Sequence, residues 1–203
     1  MKSYELNEMQ KDVLREIGNI GGGNAASALA EILTDRVDMT VPYLRFVDVN
    51  EIAEILGGAE KEVVGILLKM TGEVKGLLMF ILDKDFTHML INVLLDKHLE
   101  NFENIEEMDL SALMEIGNMM SGSYLRAISQ LTGLDIRLYP PEIAVDMVGA
   151  IISFPATMLG VMGDKALYIE EDFTKSEDKI RSHLLIIPEL DSLQIILERL
   201  GVA

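Results

Sequence analysis

Apolar positions along residues 12–33 follow a helical period. Val13, Leu14, Ile17, Ile20, Ala28 and Ile32 spread over one side of a helical wheel, and Asp12, Glu16 and Asn19 fall on the other. The same rhythm returns in "LMEIGNMMSGSYLRAISQL" from Leu113. Between and after these stretches the pattern changes. "MTVPYLRFVDV" (39–49), "EVVGILLKM" (62–70), "VKGLLMFIL" (74–82), "DIRLYPPEIAV" (135–145), "KALYIEEDF" (165–173) and "KIRSHLLIIP" (179–188) are rich in β-branched and apolar residues and predict strands. "KDFTHMLINVLLDK" (84–97) and "LDSLQIILERL" (190–200) predict helices, and the apolar run 147–163 is expected to be a helix. The polar segment 98–107, "HLENFENIEE", predicts a linker. The expected fold is α+β: two layers, with a largely antiparallel sheet packed against long helices.

Both long helices hold Glu-Ile-Gly-Asn in their middle, and Gly and Asn are poor helix formers, costing together about 1–1.5 kcal/mol relative to Ala-Ala. With Asp12 set at zero, Glu16 falls near 40°, Asn19 near −20° and Gly23 near 20°, at about 100° per residue. These four positions form one stripe roughly 16 Å long. Ser111, Glu115, Asn118 and Gly122 repeat it. Exposed carboxylates on a helix are commonplace, but a mid-helix amide caps nothing and lowers helix propensity. A glycine one turn beyond it clears room for an approaching backbone. The stripe therefore reads as a docking face with an amide at its centre.

A shift of 99 residues aligns 12–42 with 111–141 and gives eight identities in 31 positions, among them Leu14/Leu113, Ala28/Ala127 and Pro42/Pro141. Chance would supply roughly two, so the chain is expected to be an internal duplication with pseudo-two-fold symmetry. It is read as a single domain, 1–203, made of two repeats of about 1–100 and 101–203. With 203 residues, 49% of them hydrophobic, the chain is ample for a sizeable core.

Seventeen basic residues against 34 acidic ones leave a formal charge of −17, which disfavours nucleic acid and anionic lipid as partners. The absence of cysteine removes disulfides, thiolate metal sites and cysteine nucleophiles and fits a cytoplasmic setting. No secretory leader is legible at the start, and the apolar run 147–163 is short for a membrane span. His88, His98 and His183 lack paired ligand spacing, so no metal site is expected. "GNIGGG" lacks the preceding strand and the Lys-Ser/Thr of a phosphate loop. Glu16 and Glu115 lie on separate helices, and an acid/base pairing between them is left open.

Asp12-x3-Glu16-x2-Asn19, followed after 22 residues by Pro42, and Ser111-x3-Glu115-x2-Asn118, followed after 22 by Pro141, resemble the signature of the CheC-type chemotaxis phosphatases. The resemblance covers nearly the whole chain, including "VPYLRFV", "LYPPEIAVDMVGAIIS" and "HLLIIP". It implies a hydrolase acting on the phospho-aspartate of the response regulator CheY. Asn19 and Asn118 would orient the attacking water, and Glu16 and Glu115 would dock to a regulator lysine. Asp12, Ser111, Gly23 and Gly122 would assist docking. No cofactor of its own is implied, since the regulator supplies Mg²⁺. The resemblance further implies a surface for the receptor deamidase CheD, placed on a helix around Asp146. The alternative function is a regulatory binding module for CheD with weak hydrolysis.

Overall fold

The structure, a computed structural model, describes residues 6–40, 43–162, 165–175 and 178–203. Its elements run α1 (Glu8–Leu33), β1 (Val37–Met39), β2 (Tyr43–Asp48), α2 (Val49–Ile55), β3 (Glu62–Gly72), β4 (Gly76–Leu82) and α3 (Lys84–Leu95). A 3-10 turn at Phe102–Asn104 follows. The second series is α4 (Glu107–Thr132), β5 (Ile136–Leu138), β6 (Glu142–Met147), α5 (Val148–Met162), β7 (Lys165–Lys175), β8 (Asp178–Pro188) and α6 (Leu190–Arg199). The order αββαββα occurs twice.

Among the described residues, eight strands join one antiparallel sheet in the order β1-β7-β8-β4-β3-β5, with β2 also on β7 and β6 also on β3. Each series lends its short strands to the other. β1 and β2 pair with β7, β5 and β6 pair with β3, and β4 meets β8 in the middle. Neither series closes its own sheet, so each completes the other's edge.

The predicted α+β arrangement with an antiparallel sheet is observed, but helices lie on both faces of the sheet, giving three layers where two are expected. One face packs on α1, α3, α4 and α6 through Leu14, Ile17, Leu29, Ile66, Phe80, Ile116, Tyr124 and Ile169. The other packs on α2 and α5 through Val47, Ile52, Leu77, Ile81, Ile151, Tyr168 and Leu185. β4, buried along its whole length, belongs to both, which accounts for its uninterrupted apolar run.

Three further expectations change. The stretch 39–49 is not one strand: β1 ends at Met39, β2 starts at Tyr43, and its last residue, Val49, opens the helix α2. Pro42 lies outside the described residues. Residues 135–145 likewise split into β5 and β6 around Pro140 and Pro141, whose rings cannot donate to a ladder. The linker is partly core, because Leu99 and Phe102 are buried and the Phe102 ring meets the edge of His88.

Candidate functional site

The two site helices are fixed at their first turns in the same way. Asn7 accepts a hydrogen bond from the Gln10 backbone while the Gln10 side chain accepts one from the Asn7 backbone; Glu106 and Asp109 do likewise at α4. Such reciprocal capping satisfies helix donors that nothing else reaches. Each cap is tied to the body of the protein. Gln10 Nε2 donates to the Val202 carbonyl at 2.8 Å. Lys97 Nζ sits 2.9 Å from the fully buried Asp109 carboxylate. Both helices then run 26 residues without a break, and the Glu-Ile-Gly-Asn segments are helical throughout.

Within each motif the side chains divide by face. Ile17 and Ile116 are core residues, and Gly18 and Gly117 are buried beside them. A Cβ on Gly117 would stand 2.7 Å from a methyl of Ile66 in β3, so this glycine lets the helix lie close on the sheet. On the outer face, Asp12, Glu16, Ser111, Glu115 and Asn118 are exposed, and Asn19, Gly23 and Gly122 are half-buried. The structure thus brings each quartet together on one helix face, as its spacing predicts. Asp12 pairs with Arg15 at 2.5 Å. Among the described residues, the side chains of Glu16, Asn19, Glu115 and Asn118 make no hydrogen bond or ion pair with the rest of the chain. Two carboxylates and two amides are therefore presented with their full hydrogen-bonding capacity unused.

The inward face differs from expectation. Apolarity alone directs α1 inward through its large aliphatic residues, yet Gly21, Gly22, Ala25 and Ala26 are buried with Leu14, Ile17, Leu29 and Leu33. A Cβ on Gly21 would run into the Tyr124 ring of α4, and one on Gly22 into the Glu171 carboxyl of β7. The extra glycines of "GGG" are thus close-packing devices, except Gly23, around which a Cβ would meet nothing within 4 Å among the described residues. Gly122 is nearly as open, its nearest neighbour being Arg126 Nη1 at 3.4 Å.

Asp146 is not on a helix. It is the penultimate residue of β6, exposed, with its carboxylate accepting a hydrogen bond from the Met147 backbone at 2.7 Å. The helix begins two residues later at Val148, because β6 holds its ladder with β3 to the Glu62–Met147 pair. Asp146 and Glu142 instead rim a hollow of about 230 Å³, otherwise lined mainly by apolar groups such as Leu67, Met79, Ile151 and the exposed Phe154. His183 is a core residue, its Nδ1 2.7 Å from the Tyr168 hydroxyl.

Comparison with known proteins places this arrangement. The model of the CheC-like family matches residues 9–44 and 108–145, the two segments that carry the stripes. The CheY-P phosphatase CheC of Bacillus subtilis (strain 168) is 36% identical over 204 residues, covering 98% of this chain and 97% of that protein. The crystal structure of Thermotoga maritima FliY superposes with a TM-score of 0.77 at 25% identity, over 97% of this chain and 98% of that one. The CheX–CheY–BeF3–Mg²⁺ complex from Borrelia burgdorferi shares the fold, with a TM-score of 0.57 at 17% identity over 85% of this chain and 97% of that one. With near-complete coverage and both motif-bearing helices matched, the chain belongs to the CheC-like family.

Proposed function

We propose that this chain is a protein phosphatase that hydrolyses the aspartyl phosphate of a phosphorylated CheY-type response regulator, at two sites on α1 and α4. The observation that carries the reading is the pair of unpartnered amides, Asn19 and Asn118, held on an outward face in the middle of unbroken helices. The regulator brings the acyl phosphate, its Mg²⁺ and a lysine, so this chain contributes no cofactor of its own. What it adds is position. A carboxamide can both accept from and donate to water, and so hold it in line with phosphorus as the water-positioning glutamine of GTPases does. Attack on phosphorus releases phosphate and regenerates the regulator's aspartate. Glu16 and Glu115, one turn from each amide, pair with the regulator's lysine and set the register of docking. Asp12 and Ser111 extend that contact, while Gly23 and Gly122 leave space for the partner backbone. The chain acts in the cytoplasm; no helix among the described residues is long and apolar enough to cross a membrane.

A second surface favours an additional partner. The hollow beside Asp146, with Phe154 half-exposed at its edge, offers apolar area rimmed by acids and lies on the sheet face opposite α1 and α4. It supports docking of the deamidase CheD, as a regulatory function beside hydrolysis.

Phosphate release from a phosphorylated regulator tests the mechanism. Asn19→Ala and Asn118→Ala are each expected to leave partial turnover. The double variant is expected to lose roughly 10²-fold or more with its circular dichroism unchanged. Wild-type turnover in the double variant would remove the amides from the mechanism.

A further inference from the structure

Nine large hydrophobic side chains among the described residues are exposed, and single ones of this kind ordinarily require no explanation. Two of them differ from the rest. Met9 and Met108 are separated by the same 99 residues that relate the two stripes, and each is 65% exposed. No other two of the nine stand in that relation: Tyr43 corresponds to Glu142, Tyr139 to Thr40 and Met147 to Asp48. Met9 is the second residue of α1 and Met108 the second of α4, both within capped first turns that hold their backbone in place.

Their direction matters as much as their exposure. At about 100° per residue Met9 falls near 60° on the wheel where Asp12 is zero, on the edge of the stripe beside Glu16. It lies about 15 Å along the axis from Asn19, and Met108 stands in the same relation to Asn118. Each stripe thus begins with a bare thioether chain, continues through a short polar residue (Asp12 or Ser111) and a glutamate, and ends on an amide and an open glycine. An exposed Met loses favourable burial unless something covers it, and its flexible, polarisable side chain adapts to an apolar partner surface. Water is the poorest environment for it, and the helix propensity of the position would be met equally by Lys, Glu or Gln.

We infer that Met9 and Met108 are apolar anchors for the phosphorylated response regulator, one per site, setting affinity at the end of the stripe remote from the chemistry. The inference rests on the phosphatase reading above. The partner it requires is a folded protein long enough to span about 15 Å from its phosphorylated aspartate to an apolar patch on its surface. That distance separates the anchors from the reacting atoms, so they act on binding and leave the hydrolytic step alone. It also distinguishes them from Glu16 and Glu115, whose contacts are electrostatic and weaken with salt.

The test is steady-state dephosphorylation of the phosphorylated regulator by Met9→Gln/Met108→Gln. KM is expected to rise about tenfold, since each docking event loses one buried apolar side chain, while kcat at saturation stays within twofold. The melting temperature is expected to hold, both residues being exposed. Met9→Leu/Met108→Leu is expected to restore KM, and the tenfold effect to persist at high salt. An unchanged KM, a failure of leucine to rescue, or a fall in kcat alone overturns the inference. So does a finding by sedimentation that wild-type protein self-associates through these residues and the Gln variant does not. Asn19→Ala/Asn118→Ala, run alongside, separates the two levels: full turnover in that variant removes the phosphatase mechanism, whereas a wild-type KM in the Gln variant removes only the anchors.

Discussion

α1 and α4 have the same length, a reciprocal cap at the first turn and the same Glu-Asn-Gly stripe outward, yet the sheet beneath them differs. Phe173 of β7 pairs with Met39 of β1, and Met70 of β3 pairs with Leu138 of β5, so Phe173 and Met70 correspond by register. Two residues earlier on each strand stand Glu171 and Leu68. Glu171 faces Ser182 across β7 and β8, and Leu68 faces Leu78 across β3 and β4. The floor beneath α4 is aliphatic, whereas that beneath α1 holds a carboxyl with neither oxygen hydrogen-bonded among the described residues, and a hydroxyl likewise without a partner among them. Glu171 is fully buried, and burial pushes its carboxyl up to about 8, so it is neutral at neutral pH. The helices above are matched to these floors. Gly22 leaves the carboxyl the room a Cβ would fill, while its counterpart Ser121 is buried and donates to the Gly117 carbonyl at 2.6 Å. Two outward faces of like chemistry can therefore rest on floors of unlike chemistry, provided each helix adjusts the one residue that touches the difference.

The largest effect is expected from moving the carboxyl to the wrong floor. Leu68→Glu buries an acid beneath a helix that has serine, not glycine, at the matching position. A loss of about 4 kcal/mol or more in urea unfolding at pH 7 is expected, the cost of an unpaired buried polar group added to that of a lost leucine. Adding Ser121→Gly is expected to recover part of it. A loss below about 1 kcal/mol would mean that the register correspondence does not extend to the surroundings of the side chain.

The converse exchange is expected to stabilise. Glu171→Leu/Ser182→Leu copies the Leu68–Leu78 pair into the first floor. In the wild type, the unfolded chain ionises Glu171 near its ordinary value of 4.5 while the folded chain keeps the proton to about 8. Above pH 4.5 the folded state therefore holds more protons than the unfolded one. The stability from this group is complete below pH 4.5, declines as pH rises and is gone above about 8. At pH 7 the ionisable group costs on the order of 3 kcal/mol relative to acid conditions, and the double leucine variant is expected to recover a gain of that order. Glu171→Gln is expected to flatten the decline between pH 5 and 8 without the added packing. A wild-type melting temperature that rises over this interval would contradict the buried neutral carboxyl.

How much of this could be read from residues alone depended on whether a signal was local. The stripes were legible because Asp12, Glu16, Asn19 and Gly23 obey a helical period and recur at a constant offset. Glu171 was equally within reach, since Leu167, Ile169, Glu171 and Phe173 alternate along one face of a strand and put an acid among apolar neighbours. Asn7-x2-Gln10 has residue types from which the cap of α1 could have been read, whereas Glu106-x2-Asp109, 99 residues on, does not, because glutamate is not a favoured N-cap. Gly21 and Gly22 were not readable as core, because glycine carries no side chain by which hydropathy assigns it a face; their role depends on Tyr124 and Glu171, which lie far away in sequence. Asp146 was misplaced for a different reason. "AVDMVGAII" passes from strand to helix with no loop between Met147 and Val148, and the ladder that holds Asp146 in β6 is set by Val63 of the other series. The exchange of short strands between the series is non-local in the same sense, since no residue of β1 or β5 names its partner.

The smallest effect sharpens the comparison within one helix. Gly22 and Gly23 are neighbours, but a Cβ on Gly22 meets the Glu171 carboxyl and the Met39 sulfur, whereas one on Gly23 meets nothing within 4 Å among the described residues. Neither has the positive φ that would itself require glycine. Gly23→Ala, like Gly122→Ala, is expected to stabilise by up to about 1 kcal/mol through helix propensity alone, and Gly22→Ala to destabilise. The opposite signs follow from the two faces of α1, one closed by the floor and one left open. The open face has a functional consequence. Gly23→Gln and Gly122→Gln add side chains on the stripe one turn from each amide, so regulator dephosphorylation is expected to fall while the melting temperature holds or rises. If Gly23→Ala lowers the melting temperature as Gly22→Ala does, the glycine is structural on both faces, and the stripe ends at the amide.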